Sequence, residues 1–247
     1  MTNAEIKYIK SLSQKKFRDQ YGVFVVEGEK MVKEAVASGF VVDKIYRTEE
    51  IGEAAMERVS ALSSPSPALA VVRKPLDIDK ADVPSKGLFL ALDGIRDPGN
   101  LGTILRIADW FGLDAVYASE DTVDLFNPKV VQATMGAIFR VKFHYCSVPA
   151  LCKDVLARGG KVYGTFLDGQ NMYQKQLESG FSVIVIGNEA NGISKETAAC
   201  VSDRLFIPPY PADDPGSESL NAAIATAITV AEFRRRGLPC RVSPENA

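Results

Sequence analysis

Apolar and polar positions divide the chain into two stretches of different rhythm. In the first, amphipathic runs alternate with short extended ones. The spacing predicts a basic helix over Ala4–Phe17, a strand over Gly22–Val26, a helix over Glu29–Ala37, an extended run over Val41–Tyr46 and a helix over Glu50–Leu62. Ser63-Ser64-Pro65-Ser66-Pro67 is a loop signal, and Leu69–Val72 is a short closing strand. Residues 77–86 lack apolar continuity and hold Pro84, which marks a linker. From Gly87 the runs become short, apolar and unbroken: Leu88–Leu92, Ala115–Ala118, Val162–Phe166 and Val183–Ile186, with helical stretches between them. Unbroken apolar strands are buried on both faces, and strands alternating with helices predict an α/β domain on a parallel sheet. The expected division is 1–76, a linker over 77–86, and 87–247.

Composition changes this picture little. The chain has 247 residues, with 46% apolar and 24% charged, enough to build a real core. No apolar run approaches the roughly 18 residues that suggest a membrane span. Lys and Glu interrupt the first twenty positions, so no signal-peptide core is expected and the cytoplasm is the expected location. Cys146, Cys152, Cys200 and Cys240 form no C-x-x-C pair and read as incidental thiols. The single histidine, His144, lies in a strand-like run and has no nucleophile elbow to serve. No convincing metal-ligand cluster is present, and no metal is expected.

The formal net charge is −2, so any nucleic-acid contact must come from local clusters. One cluster is Lys7, Lys10, Lys15, Lys16 and Arg18; the other is Arg234, Arg235, Arg236 and Arg241. Taken alone, either cluster reads more readily as a solvated helix face.

Chemistry concentrates in three segments of the second stretch. In Asp93–Arg106 a strand runs through a turn into a helix. Leu101, Ile104, Leu105 and Ala108 form the helix's buried stripe, and Arg106 lies off it. The strand ends of such sheets are where α/β proteins bind ligands. The turn is neither a Walker A loop nor G-x-G-x-x-G, which removes the dehydrogenase fingerprint. The second segment, Ile186-Gly187-Asn188-Glu189-Ala190-Asn191-Gly192-Ile193-Ser194, places an acid between two glycines. The third runs from Ile207-Pro208-Pro209 to Ser219-Leu220-Asn221, where Ser or Asn can cap a helix. Each segment alone also reads as an ordinary turn or cap.

In this order the three segments resemble motifs 1, 2 and 3 of the SpoU/TrmH methyltransferases. Asn127–Ala137 and Phe24-Val25-Val26-Glu27-Gly28 are similar to the family as well, so the resemblance covers nearly the whole chain. It implies a SPOUT fold with a deep trefoil knot, preceded by a small RNA substrate-binding domain. It implies S-adenosylmethionine as cofactor, held by backbone around Thr165, Gly187, Ile207 and Leu220, and an obligate homodimer. It nominates Asn100, Arg106, Glu189, Ser219 and Asn221 for catalysis at a ribose 2′-hydroxyl of structured RNA, with ribosomal RNA favoured over transfer RNA and no DNA partner.

Arginine is a poor formal base, so Arg106 is expected to bind the adjacent phosphate and stabilise developing charge. Ser219 and Asn221 are expected to orient Arg106 or the ribose, and Glu189 to fix the second turn and Asn100. Lys10, Lys15, Lys16 and Arg18 are the expected RNA contacts. Two departures stand out: Ala222-Ala223 follows Ser-Leu-Asn where the family usually has Val-Ser, and the Tyr210–Glu218 loop, with Asp213 and Asp214, is long. The competing readings are a non-catalytic SPOUT-like RNA-binding dimer, against which the retention of all five nominated residues argues, and a Rossmann-type enzyme, which lacks its fingerprint.

Overall fold

The first amphipathic run is two helices rather than one, α1 (Asn3–Ser11) and α2 (Lys15–Tyr21). The structure, a computed structural model, describes residues 1–76, 78, 82–211 and 216–237. Cys240, Arg241, Asp213, Asp214 and part of the 77–86 linker therefore lie outside the described residues. The break between α1 and α2 has a local cause. Arg18 turns inward and donates 2.8 Å hydrogen bonds to the carbonyls of Leu12 and Ser13, which the end of α1 leaves free. Gly22 ends α2 in the left-handed region (φ 65°), so the next strand begins one residue later than expected.

That strand is β1 (Val23–Glu27). It is followed by α3 (Glu29–Ala37), β2 (Val42–Arg47), α4 (Thr48–Ile51), α5 (Glu53–Val59) and β3 (Ala68–Arg73). The expected helix over Glu50–Leu62 is split at Gly52, whose φ of 83° no helix can carry. The three strands form an antiparallel sheet in the order β1-β3-β2. Val23, Leu69 and Val71 pack on α1 and α5, whereas Phe24, Val26, Ala70 and Val72 face the other way. Both faces are covered, which explains why Leu69–Val72 reads as continuous apolar sequence.

The second stretch contains β4 (Gly87–Asp93), α6 (Pro98–Trp110), β5 (Ala115–Ala118), α7 (Pro128–Thr134), β6 (Phe143–Tyr145), α8 (Val148–Ala157), β7 (Lys161–Asn171), β8 (Phe181–Gly187), α9 (Lys195–Ala198), β9 (Asp203–Phe206) and α10 (Ala222–Gly237). Its six strands are all parallel, in the order β6-β5-β4-β8-β7-β9. Leu88, Leu90 and Leu92 bury one face against α6, together with Val230 and Phe233 of α10. Phe89, Ala91, Val183 and Val185 bury the other against Val148, Leu151, Cys152 and Val155 of α8. The edge strands are short: β6 closes the strand-like run that holds His144, whereas Asp203-Arg204 makes β9 half polar and no apolar run announces it. His144 lies on β6 with its ring stacked on Tyr117, 5.8 Å between centroids.

The two sheets share one core. Phe24 of β1 lies 4.7 Å from Phe126 and Phe40 lies 5.2 Å from Phe139, ring centre to ring centre. Polar contacts cross the same seam. Arg140 joins Asp109 to Glu34, and Arg18 joins the α1–α2 turn to Asp124 at 2.5 Å. Arg18 is 2% exposed. It is thus an internal strut, a correction to its expected place among the RNA contacts; Lys7, Lys10, Lys15 and Lys16 are exposed. At the other end, Arg234 donates to the Phe111 carbonyl (2.8 Å), and Arg236 donates to the Met172, Lys175 and Tyr173 carbonyls. Those two arginines brace α10.

Removing one member of a buried ion pair strands the other. Arg18→Met should therefore lower unfolding free energy by about 3–5 kcal/mol, and Arg18→Met with Asp124→Leu should recover much of that loss. Denaturant titration of the two variants measures both. Equal stabilities of wild type and Arg18→Met would contradict the strut.

Candidate active site

The site is built at the carboxyl ends of β4 and β8 and at the start of α10. Asp97 caps α6, accepting the Asn100 N–H at 2.7 Å, and Pro98 follows at the first helical turn, where a missing N–H costs nothing. This presents the backbone N–H groups of Arg96 and Asp97 toward the loop after β8. Glu189 occupies that position and accepts from both at 3.2 Å. It also accepts from the Asn100 side-chain amide at 2.9 Å. Asn100 in turn accepts from the side-chain amide of Asn221 at 2.8 Å. The Asn221 oxygen takes the N–H groups of Ala223 (2.9 Å) and Ile224 (3.3 Å) and so caps α10.

The direction of this relay is forced. An ionised carboxylate only accepts, so Asn100 must turn its NH₂ to Glu189 and its oxygen to Asn221. Asn221 must then give its NH₂ to Asn100 and keep its oxygen for the helix. Burial works against the charge on Glu189, but hydrogen bonds from Asn100 and from the N–H groups of Glu189 itself, Arg96 and Asp97 outweigh it. They hold the carboxyl below its ordinary value of 4.5.

The loop after β8 is braced from within. A Cβ on Gly187 would lie 2.2 Å from the Gly192 carbonyl carbon, so only glycine allows the chain to fold back on itself there. Asn188 bridges to Gly192, donates to the Gly94 carbonyl at 2.6 Å and accepts from the N–H groups of Ala190 and Asn191. Asp93 at the end of β4 accepts the Ser194 N–H at 2.8 Å. Asp93, Asp97 and Asn188 are the positioning residues that sequence reasoning missed; Asp97 before Pro98 was legible as a helix cap.

The nominated residues separate into two groups. Asn100, Glu189 and Asn221 are joined directly. Arg106 lies on the exposed side of α6, less than two turns beyond Asn100, and has no ion-pair or hydrogen-bond partner among the described residues. Ser219 is exposed and likewise without a hydrogen bond among them. Asn221 makes no hydrogen bond to Arg106: its oxygen, the only side-chain atom that could accept from a guanidinium, is taken by the start of α10, and its nitrogen by Asn100.

Of the expected cofactor residues, Thr165 lies within β7 just past its pairing with β8, Gly187 ends β8, Ile207 follows β9 and Leu220 precedes α10. The Thr165 hydroxyl leans 3.5 Å from the Val185 carbonyl, Ile207 is half-buried and Leu220 is 47% exposed. Apolar side chains with glycine backbone fit a nucleoside-bearing cofactor. Among the described residues no cluster of His, Cys, Asp and Glu could hold a metal ion.

Residues 87–231 match the SpoU rRNA Methylase family, and residues 3–76 match the MRM3-like substrate binding domain. The chain belongs to the SpoU methylase family. It is 32% identical to the Bacillus subtilis 23S rRNA (guanosine(2553)-2′-O)-methyltransferase RlmP, a match covering 94% of this chain and 96% of that protein. Its structure superposes with a TM-score of 0.84 on a TrmH-family RNA methyltransferase from Porphyromonas gingivalis, 37% identical over 96% of this chain and 99% of the other. It also superposes, at 0.81, on the AdoMet-bound rRNA methyltransferase of Sinorhizobium meliloti, 29% identical over 97% of both chains. For a SpoU methylase the relay has a clear structural consequence: it ties the family's three motif loops into one unit.

A carboxyl with a lowered pKa stabilises the fold fully above its unfolded value and loses that contribution as pH falls through its folded value. The stability advantage of wild type over Glu189→Gln should therefore persist above pH 4.5 and shrink below it. Melting temperatures of the pair across this acid range provide the check. A difference independent of pH would show that the charge of Glu189 has no part in the relay.

Proposed function

We propose that the protein transfers a methyl group from S-adenosylmethionine to a ribose 2′-hydroxyl of ribosomal RNA. The observation that carries this reading is the Glu189–Asn100–Asn221 relay, which joins residues of the three motifs near the strand ends, on the same helix as an Arg106 with no ion-pair partner among the described residues. Likeness to an AdoMet-bound relative and to rRNA 2′-O-methyltransferases supports the cofactor and the substrate. In this reading the C-terminal part carries the family's deep trefoil knot, and residues 87–247 form the catalytic part, with 77–86 as linker.

When bound, S-adenosylmethionine supplies an electrophilic methyl on a sulfonium whose sulfur leaves with the bonding electron pair. The protein's share is placement. Backbone around Thr165, Gly187, Ile207 and Leu220 would hold the cofactor. Asn100 and Glu189 keep the first and second motif loops in register, and Asn221 sets the start of α10. Ser219, next to this cap, faces the ribose. Arg106 has no carboxylate to neutralise it among the described residues, so its guanidinium is free for the phosphate beside the target ribose. From there it stabilises negative charge developing on the 2′-oxygen as the hydroxyl proton passes to solvent water.

Two further parts of the reading rest on surfaces. Trp110 at the end of α6 is 85% exposed and Ile224 on α10 is 50% exposed, and these apolar side chains favour a homodimer across the two helices. No helix among the described residues is long and apolar enough to cross a membrane. The cytoplasm is the proposed place of action, where ribosomal RNA is met.

Arg106→Ala should leave the oligomeric state and the calorimetric affinity for S-adenosylmethionine nearly intact while methyl transfer falls by about 100-fold or more. Arg106→Lys should rescue poorly, because lysine lacks the planar fork. Full activity in the alanine variant would remove Arg106 from the site, and a wild-type protein that binds RNA but no cofactor would be a non-catalytic binder.

Residues 1–76 are proposed to hold the RNA through exposed lysines of α1 and α2. Replacing Lys10, Lys15 and Lys16 together with Gln should weaken RNA binding and make the slope of log K against log salt shallower by about 2. Unchanged affinity and slope would reduce the cluster to a solvated face.

A further inference from the structure

α1 and α2 carry more than lysines. Tyr8, Phe17 and Tyr21 form a continuous aromatic group on their outer side. The Phe17 and Tyr21 rings are nearly parallel (15°, 6.4 Å between centroids), and Tyr8 meets Tyr21 edge to face at 5.1 Å. Tyr21 is 44% exposed, so part of its ring remains in water. The Lys16 ammonium lies 5.8 Å from the Phe17 ring centre. Beyond Tyr21 the surface drops into a cleft of about 620 Å³, walled by Arg73, Lys74, Val41 and Leu76 and closed by Phe139 across the domain seam. Val41 and Leu76 are 58% and 98% exposed. Among the described residues, Lys15 and Lys74 both pair with Asp19, Arg73 pairs with Asp43, and Lys16 has no ion pair, so cations outnumber the carboxylates paired with them.

A half-exposed ring at the lip of an apolar cleft, with surplus positive charge around it, matches one ligand chemistry. An unpaired nucleobase has a flat π face to stack, an apolar body to bury and a phosphate on either side. A duplex offers the phosphates but keeps its bases stacked internally. We propose that Tyr21 and this cleft receive an unpaired base of the RNA, stacked on the Tyr21 ring, while the exposed Lys16 and Arg73 hold the flanking phosphates. The inference rests on the reading of residues 1–76 as the RNA-holding part. It adds that this part selects a looped or single-stranded feature through an aromatic contact, where sequence alone points to phosphates and shape.

The probes are a fluorescent oligoadenylate of about 12 nucleotides and a blunt RNA duplex of the same length, titrated by anisotropy against the full chain. Tyr21→Ala and Tyr21→Leu should each bind the single strand about 10-fold or more weakly, and Tyr21→Phe should bind like wild type. Leucine keeps apolar bulk against Tyr8 and Phe17 but has no π face, so it separates lost stacking from lost folding. Duplex affinity and the salt slope for the single strand should stay unchanged, because no charge is removed. Wild-type affinity for the single strand in Tyr21→Leu, or an equal loss on strand and duplex, would overturn the proposal. Methyl transfer to ribosomal RNA by the wild-type preparation is scored separately. If transfer occurs and Tyr21→Leu binds the single strand normally, only the stacking inference fails; if the wild type transfers nothing to RNA, the functional reading fails first.

Discussion

The Glu189 carboxylate sets the geometry of the site because it can only accept hydrogen bonds. Two backbone N–H groups before α6 and the Asn100 amide converge on it, which holds the turn after β4 against the loop after β8. That choice dictates the orientation of Asn100, then of Asn221, and finally which atom caps α10. Three loops separated by up to about 120 positions thus share one sense of polarity, and none can be turned over without leaving a donor facing a donor. Arg106, carried on the same α6, is placed by this relay without being consumed by it.

Close packing transmits this placement. A Cβ on Gly102 would stand 2.4 Å from the Ala133 Cβ, so α6 and α7 touch nearly backbone to backbone. The loop leading into α7 carries Asp124, the partner of Arg18, and Phe126, which packs on Phe24. The Arg18–Asp124 ion pair thus ties the basic helices to this loop, Phe24 ties β1 to it, and the Gly102 crossing ties α7 to the helix bearing Arg106. The domains meet across a shared core rather than through the linker alone, which fixes α1 and α2 relative to α6.

Much of this was legible along the chain. Unbroken apolar runs marked β4, β5, β7 and β8 because their two faces are both covered, and the stripe of Leu101, Ile104, Leu105 and Ala108 oriented α6. The motif wording led to Asn100, Glu189 and Asn221. Arg18 was misread for a physical reason: its neighbours in sequence are exposed lysines, and only the turn after Leu12, together with Asp124 more than 100 positions away, draws it inside. The helix breaks at Ser13 and Gly52 were missed because helical spacing persists across them.

By itself, the sequence determined which segments could be buried and which residue types were available at the strand ends, since burial and capping follow from local chemistry. Tertiary structure alone decided how those residues pair. Whether a carboxylate meets an amide, a backbone N–H or water depends on groups far apart in the chain, and hydrogen bonds act only over a few ångströms. For the same reason, only the folded chain could turn Arg18 from a surface cation into an internal strut and gather Tyr8, Phe17 and Tyr21 at the mouth of a cleft.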